Sequence, residues 1–222
     1  GVMELTERKR EFLAAVEELY RETGQPVHYE DVAKRLEVSK WTAYDMIRDL
    51  TRGGFLRAQY QRLPSVGRSR MIVVPVSMEQ EWQQNLVGIL EIMQELKDKN
   101  PKTSLEILSQ KIGKQSKGVF CAYVIVMSLI VLRSAIGSVK VLELLAGGLC
   151  PQVVLATLGG MMLGHYLKAK PDELKGTLDS YLPKYQQYIS EVSDEEQKQL
   201  VVFLEQAARQ LSTNSGIVFK GG

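Results

Sequence analysis

Histidine, cysteine and any apolar run long enough to cross a bilayer are scarce or missing in this chain. Its 222 residues hold two histidines and two cysteines. Cys121 and Cys150 stand far apart, with no CxxC and no Cys/His cluster, so a structural zinc site has no support. Both lie inside apolar runs, the setting of buried thiols in a reducing compartment rather than of a disulfide. With only His28 and His165 there is no Ser/His/Asp set and no His-based ligand set, and no Gly-rich phosphate loop occurs. Catalysis, a metal requirement and a bound cofactor are therefore not expected. The most apolar run, Val119–Leu132, has 14 residues, short of the roughly 20 that span a membrane. The first residues, GVMELTERKREF, are polar and lack an apolar signal segment, so a cytoplasmic location is expected. No internal repeat is present.

What is present begins with uneven charge. The net charge is only +2, but 13 of the 28 Lys+Arg and 11 of the 26 Asp+Glu fall in residues 1–75. Within Arg52–Met78 there are five arginines and no acid. Such local asymmetry says more about partners than the total does.

Thr6 can cap a helix over about 7–23, with Phe12, Val16, Leu19 and Tyr20 on its apolar face and Gly24 and Pro26 ending it. Asp31–Leu50, DVAKRLEVSKWTAYDMIRDL, then reads as two helices joined by a tight turn. Val32, Ala33 and Leu36 face inward on the first, Val38 sits in the turn, and Ser39 is a good N-cap for the second. Ala43, Met46, Ile47 and Leu50 recur at three- and four-residue steps and form one inward stripe. Lys40, Trp41, Thr42, Tyr44, Asp45 and Arg48 are left outside, donors, acceptors and flat rings at the start of a helix. His28, at the way in, is assigned no chemistry.

Gly53 and Gly54 stop the second helix. Phe55–Leu63 and Arg70–Val76 then read as strands, joined by the turn-forming Pro64–Ser69. Arg57, Arg62, Arg68 and Arg70 fall on or near this hairpin. The helix pair, with Ala33 at the crossing, Val38 after the turn and Ala43 and Met46 inside the second helix, resembles the helix-turn-helix of bacterial transcriptional regulators. It departs at Glu37, where many such motifs carry glycine in a left-handed conformation, so the resemblance implies backbone strain there. The order helix, helix-turn-helix, hairpin with a basic tip is similar to that of a winged-helix domain over about Leu5–Pro75. The resemblance implies a domain at 1–77, three helices plus a β-hairpin wing, that binds double-stranded DNA. Ser39, Lys40, Trp41, Thr42, Tyr44, Asp45 and Arg48 would then read base edges, and Arg57, Arg62, Arg68 and Arg70 would meet phosphate or a narrow groove. Read by themselves, the arginines can equally keep an exposed strand edge from aggregating.

Pro75–Met78 closes this domain, and residues 78–211 read as all-α. A long amphipathic helix is expected over about 79–99, with Trp82, Leu86, Ile89, Leu90, Met93 and Leu96 on one stripe. Asn100–Pro101 breaks it, a short helix follows at 104–112, and 113–118 is a polar loop. Val119–Leu132, apolar all round, reads as the central helix of a core. Helices over 139–149 and 152–168 continue the apolar theme on either side of Pro151. Gly159, Gly160 and Gly164 on the latter either let two helices approach closely or leave room for a ligand. A ligand pocket would involve Tyr123, Met127, Met161, Met162 and His165. Residues 171–192 should be helical, with Pro183 a candidate break and Leu178, Tyr181, Leu182 and Tyr185 on a stripe. Ser193–Glu196 is a capping box that starts a last helix at 194–211, and 212–222 reads as a flexible tail.

The fold class expected is mainly α, a winged helix-turn-helix followed by an all-α domain for dimerisation and effector binding. The function expected is sequence-specific transcriptional regulation by a homodimer, gated by a small apolar ligand. The alternative is a winged-helix adaptor for protein partners, with Trp41 and Tyr44 as anchors.

Overall fold

Thr6 opens the first helix by accepting the Lys9 N–H on its hydroxyl at 3.3 Å. The computed structural model describes residues 4–62, 69–145, 150–168 and 178–212. Helix α1 runs Glu7–Thr23 and ends at Gly24, whose φ of 65° suits glycine. Strand β1 is only Val27–His28 and leads into α2, Tyr29–Leu36, and α3, Lys40–Arg52. Strands β2, Leu56–Arg62, and β3, Ser69–Pro75, follow. The remaining helices are α4 Val76–Leu96, α5 Pro101–Lys111, α6 Lys117–Ile136, α7 Ser138–Leu145, α8 Pro151–Lys168, α9 Tyr181–Glu191 and α10 Asp194–Ser212. The described chain is thus mainly helical with a small three-stranded antiparallel sheet, ordered β1-β3-β2. It divides into two compact units, one ending at Gln84 and the other beginning at Asn85, a division that falls inside α4.

In the first unit, Phe12 and Val16 of α1, Val32 and Ala33 of α2, and Ala43, Ile47 and Leu50 of α3 close over Val27, Leu56 and Val73 of the sheet. Each large apolar side chain so buried contributes roughly 1.5–3 kcal/mol. Arg35 of α2 forks onto Glu22 of α1, with Nη2 2.6 Å from Oε2, which pins the two helices together at the surface. Two expectations change here. The hairpin gains β1 as a third strand, with Val27 opposite Val73 and His28 opposite Ile72; two residues are too few to show a period. The long helix expected over about 79–99 starts at Val76, whose N–H donates to the Phe55 carbonyl at 3.0 Å, and ends at Leu96.

In the second unit every residue from Val119 to Leu132 is buried, and α5, α7, α8, α9 and α10 pack around α6. The run's one hydroxyl, Ser128, donates to the Val124 carbonyl at 2.7 Å. Its helix is longer than the apolar run, starting at Lys117 behind the cap Ser116. Two prolines sit in first turns, where a proline is tolerated, and the expected break at Asn100–Pro101 separates α4 from α5. Pro101 is the first residue of α5, whose cap Asn100 accepts the Lys102 N–H at 2.8 Å, so this helix begins at 101 and not at 104. Pro183 is the third residue of α9. Ser193 caps α10 by accepting the Glu196 N–H at 3.1 Å.

The three glycines of α8 separate into two kinds. At Gly159 a side chain would meet Gln186 and, at 3.3 Å, the Tyr185 ring, so α8 and α9 approach closely there. Gly160 and Gly164 face open space, beside the exposed Val153, Leu163 and Leu167. Cys121 is buried, and burial pushes its thiol well above the ordinary range. Cys150 is exposed, against expectation, since it lies just ahead of α8 and not within a helix. Residues 146–149, 169–177 and 213–222, and with them the expected tail, lie outside the described residues. Among the described residues no helix is long and apolar enough to cross a membrane.

Candidate nucleic-acid interface

The turn between α2 and α3 holds the left-handed backbone that the helix-turn-helix resemblance implies at Glu37. Glu37 has φ 53° and ψ 42°, and is the non-glycine residue with positive φ among the described residues. It lets the Val38 N–H reach the Ala33 carbonyl at 3.0 Å, which closes the end of α2 and aims the chain into α3. Ser39 then caps α3, accepting the Thr42 N–H at 3.0 Å, and its hydroxyl lies 2.8 Å from that of Thr42. Both hydroxyls are engaged at the helix start, which makes them positioning groups more than readers of a ligand.

With Ala43, Ile47 and Leu50 inward, α3 turns Lys40, Trp41, Tyr44, Asp45 and Arg48 outward. Trp41 is 73% exposed, unusual for so large an apolar ring. The Lys40 ammonium stands 3.7 Å from Glu30. Arg48 reaches Asp45 at 3.3 Å and lies over the Tyr44 ring, 5.9 Å from its centre. Tyr44 in turn meets Tyr29 edge-on at 5.4 Å. Tyr29, Tyr44 and Arg48 so form a row that holds the guanidinium in place along the helix.

The four hairpin arginines do not act alike. Arg57 and Arg70 stand on one face of the sheet, Arg57 opposite Val74 and Arg70 opposite Gln61. Arg62 pairs with Ser69, one step out of phase with both, and Arg68 lies outside the described residues. Arg57 binds Glu79 through Nε, 2.9 Å from both carboxylate oxygens, and through Nη2. Among the described residues no carboxylate pairs with Arg70. The acid-free stretch of sequence is therefore not acid-free in space: Glu79 stands one residue past its end.

His28 joins the two halves of the site. It is buried, and its Nδ1 accepts the Glu30 N–H at 3.2 Å, so an imidazole caps α2. Burial holds the ring below its ordinary pKa; the Arg70 and Lys40 charges push the same way, while Glu30 and Asp31 oppose them. One cation from β3 and one from the start of α3 thus act on the same ring. His28, Tyr29, Glu30, Glu79 and Tyr60, the last 70% exposed on β2, are residues here that sequence reasoning left out of the site. Only Tyr60 had a signal, as a large ring in a strand otherwise alternating with polar residues.

In the second unit, Tyr123, Met127 and Met162 are buried and Met161 and His165 half-buried. A cavity opens elsewhere, among α4, α5, α6 and α10. Among the described residues no group of three His, Cys, Asp or Glu side chains converges to hold a metal ion. No protein-family model matches the chain, and neither does any curated protein or solved structure.

Proposed function

We propose that the N-terminal unit is a winged helix-turn-helix that binds double-stranded DNA, and that the chain is a sequence-specific transcriptional regulator. The observation that carries this reading is the outer face of α3: Trp41 exposed beside Lys40 at the helix start, while the opposite face of the same helix is locked into the core. Such a helix can lie in a major groove with Lys40, Trp41, Tyr44 and Arg48 toward base edges, where a good bidentate contact is worth about 1–3 kcal/mol. Arg70 would add a phosphate contact and, with it, salt-dependent affinity. One such unit covers too little DNA for high specificity, so we propose a homodimer reading two half-sites about 10 base pairs apart. The helical second unit would supply the two-fold contact. Competition between selected genomic duplexes and random duplex for the purified protein tests the reading.

One observation favours the alternative of a protein-binding adaptor. Trp41 and Tyr60 are both large exposed rings, the residue types that anchor protein interfaces. A stable protein partner, together with DNA binding that shows no sequence preference, would select that reading.

A further inference from the structure

We infer that Trp41 selects thymine, its ring packing on the 5-methyl group that this base presents in the major groove. The inference rests on the reading of α3 as a recognition helix, and it names a base that this helix selects. Lys40 and Trp41 are the first two residues of α3, and the N-terminal residues of a recognition helix are those that reach base edges. Most polar groups on this face already have partners within the chain. The Ser39 hydroxyl caps α3 and lies 2.8 Å from that of Thr42. Lys40 stands 3.7 Å from Glu30, and Arg48 stands 3.3 Å from Asp45 and over the Tyr44 ring. Trp41 is the exception: it is 73% exposed, and among the described residues no ring or cation stacks on it. What this face leaves uncommitted is therefore an apolar surface.

The major-groove edges of guanine, adenine and cytosine offer only hydrogen-bond donors and acceptors, whereas thymine adds a methyl group. Covering that methyl with the indole face removes apolar surface of both from water. The other three bases give the ring no apolar group to cover, so thymine is the base an uncommitted ring distinguishes. The indole has one polar group, a donor N–H, and thymine carries the acceptor O4 beside its methyl. Charge favours a duplex over an apolar protein surface as the partner of this ring. The first turn of α3 carries Lys40 and no acid, so a polyanion is not repelled where the ring would enter. 5-Methylcytosine bears the same methyl, and DNA amplified in vitro, which carries none, leaves thymine as its source.

The test takes the motif that the full wild-type chain enriches from amplified genomic fragments. Each thymine of the motif is replaced in turn by 2′-deoxyuridine, which deletes only the methyl. Fluorescence anisotropy at low salt then reads binding by wild type, Trp41→Phe and Trp41→Ala. At one thymine of each half-site, loss of the methyl should weaken wild-type binding by about fourfold, the worth of one buried methyl. The same replacement should change binding by Trp41→Ala less than about 1.5-fold, and Trp41→Phe, which keeps an apolar ring, should retain part of the dependence. Because Trp41 lies at the surface, both variants should keep the wild-type thermal midpoint. A motif without thymine, a motif in which no thymine methyl matters, or an equal loss in wild type and Trp41→Ala would overturn the assignment and leave the DNA reading of α3 standing. Absence of any shared motif, with a stable protein partner that Trp41→Ala releases, would overturn both and give the ring to a protein interface.

Discussion

The guanidinium of Arg57 is clamped by the carboxylate of Glu79, with Nε 2.9 Å from both oxygens, a pair that joins β2 to the first turn of α4. Arg70 lies on the same face of the sheet with no carboxylate partner among the described residues. The two arginines should therefore differ in a DNA titration. Arg70→Ala is expected to weaken binding to specific and random duplexes alike and to lower the salt slope by about one. Arg57→Ala should leave affinity within about twofold, since its charge is already compensated. Fluorescence anisotropy over a range of KCl concentrations reads both quantities, and an Arg57 effect as large as that of Arg70 would show the clamp to open on DNA.

Glu37 holds a left-handed conformation that disfavours a side-chain-bearing residue by about 1–2 kcal/mol. Glycine removes that strain but gains freedom in the unfolded chain, which offsets part of the benefit. Glu37→Gly should raise unfolding stability by about 1 kcal/mol, read as a shift of the denaturant midpoint at unchanged slope. A lower midpoint would mean that the glutamate makes a compensating contact.

His28 couples stability to pH. Its folded pKa is lowered, first by burial and then by Arg70 and Lys40, so the unfolded chain takes up the proton more readily. The associated stability is complete above about pH 6.5 and is lost as pH falls through the lowered folded value. Protonation also removes the acceptor that caps α2. His28→Asn, which keeps a capping oxygen and does not titrate, should flatten the stability profile below about pH 6.5 relative to wild type. Superimposable profiles would exclude this role for the ring.

Tyr185 is fully buried and donates its hydroxyl to the Leu155 carbonyl at 2.7 Å, tying α9 to α8 where Gly159 admits its ring. Tyr185→Phe leaves the ring and removes the bond, and should cost about 1 kcal/mol. Chemical denaturation measures it; no loss would mean that the hydroxyl does not hold the two helices.

Long periodic features were legible in the sequence. The inward stripe of Ala43, Ile47 and Leu50 and the wholly apolar Val119–Leu132 follow from side-chain geometry on a helix, which needs only local spacing. Glu37 was legible only through the resemblance to helix-turn-helix motifs, many of which carry glycine at that place; its left-handed backbone fits that expectation. What stayed hidden depends on contacts distant along the chain. Arg57 and Glu79 are 22 residues apart, and no pattern links them. Strand β1 exists because Val27 and His28 find β3, not because two residues have a period. Pro183 resembles a helix breaker until its place in a first turn is known, and only the packing of α9 on α8 distinguishes Gly159 from Gly160 and Gly164.

The proposal that α3 reads DNA is tested most directly by genomic duplex fragments selected and sequenced with the purified wild-type chain, and in parallel with Lys40→Ala and Trp41→Ala. Wild type should enrich fragments that share one motif, repeated about one helical turn away, and each variant should lose that enrichment while still binding DNA at low salt. Wild-type fragments with no common motif, or variants that enrich the same motif as strongly, would contradict the account.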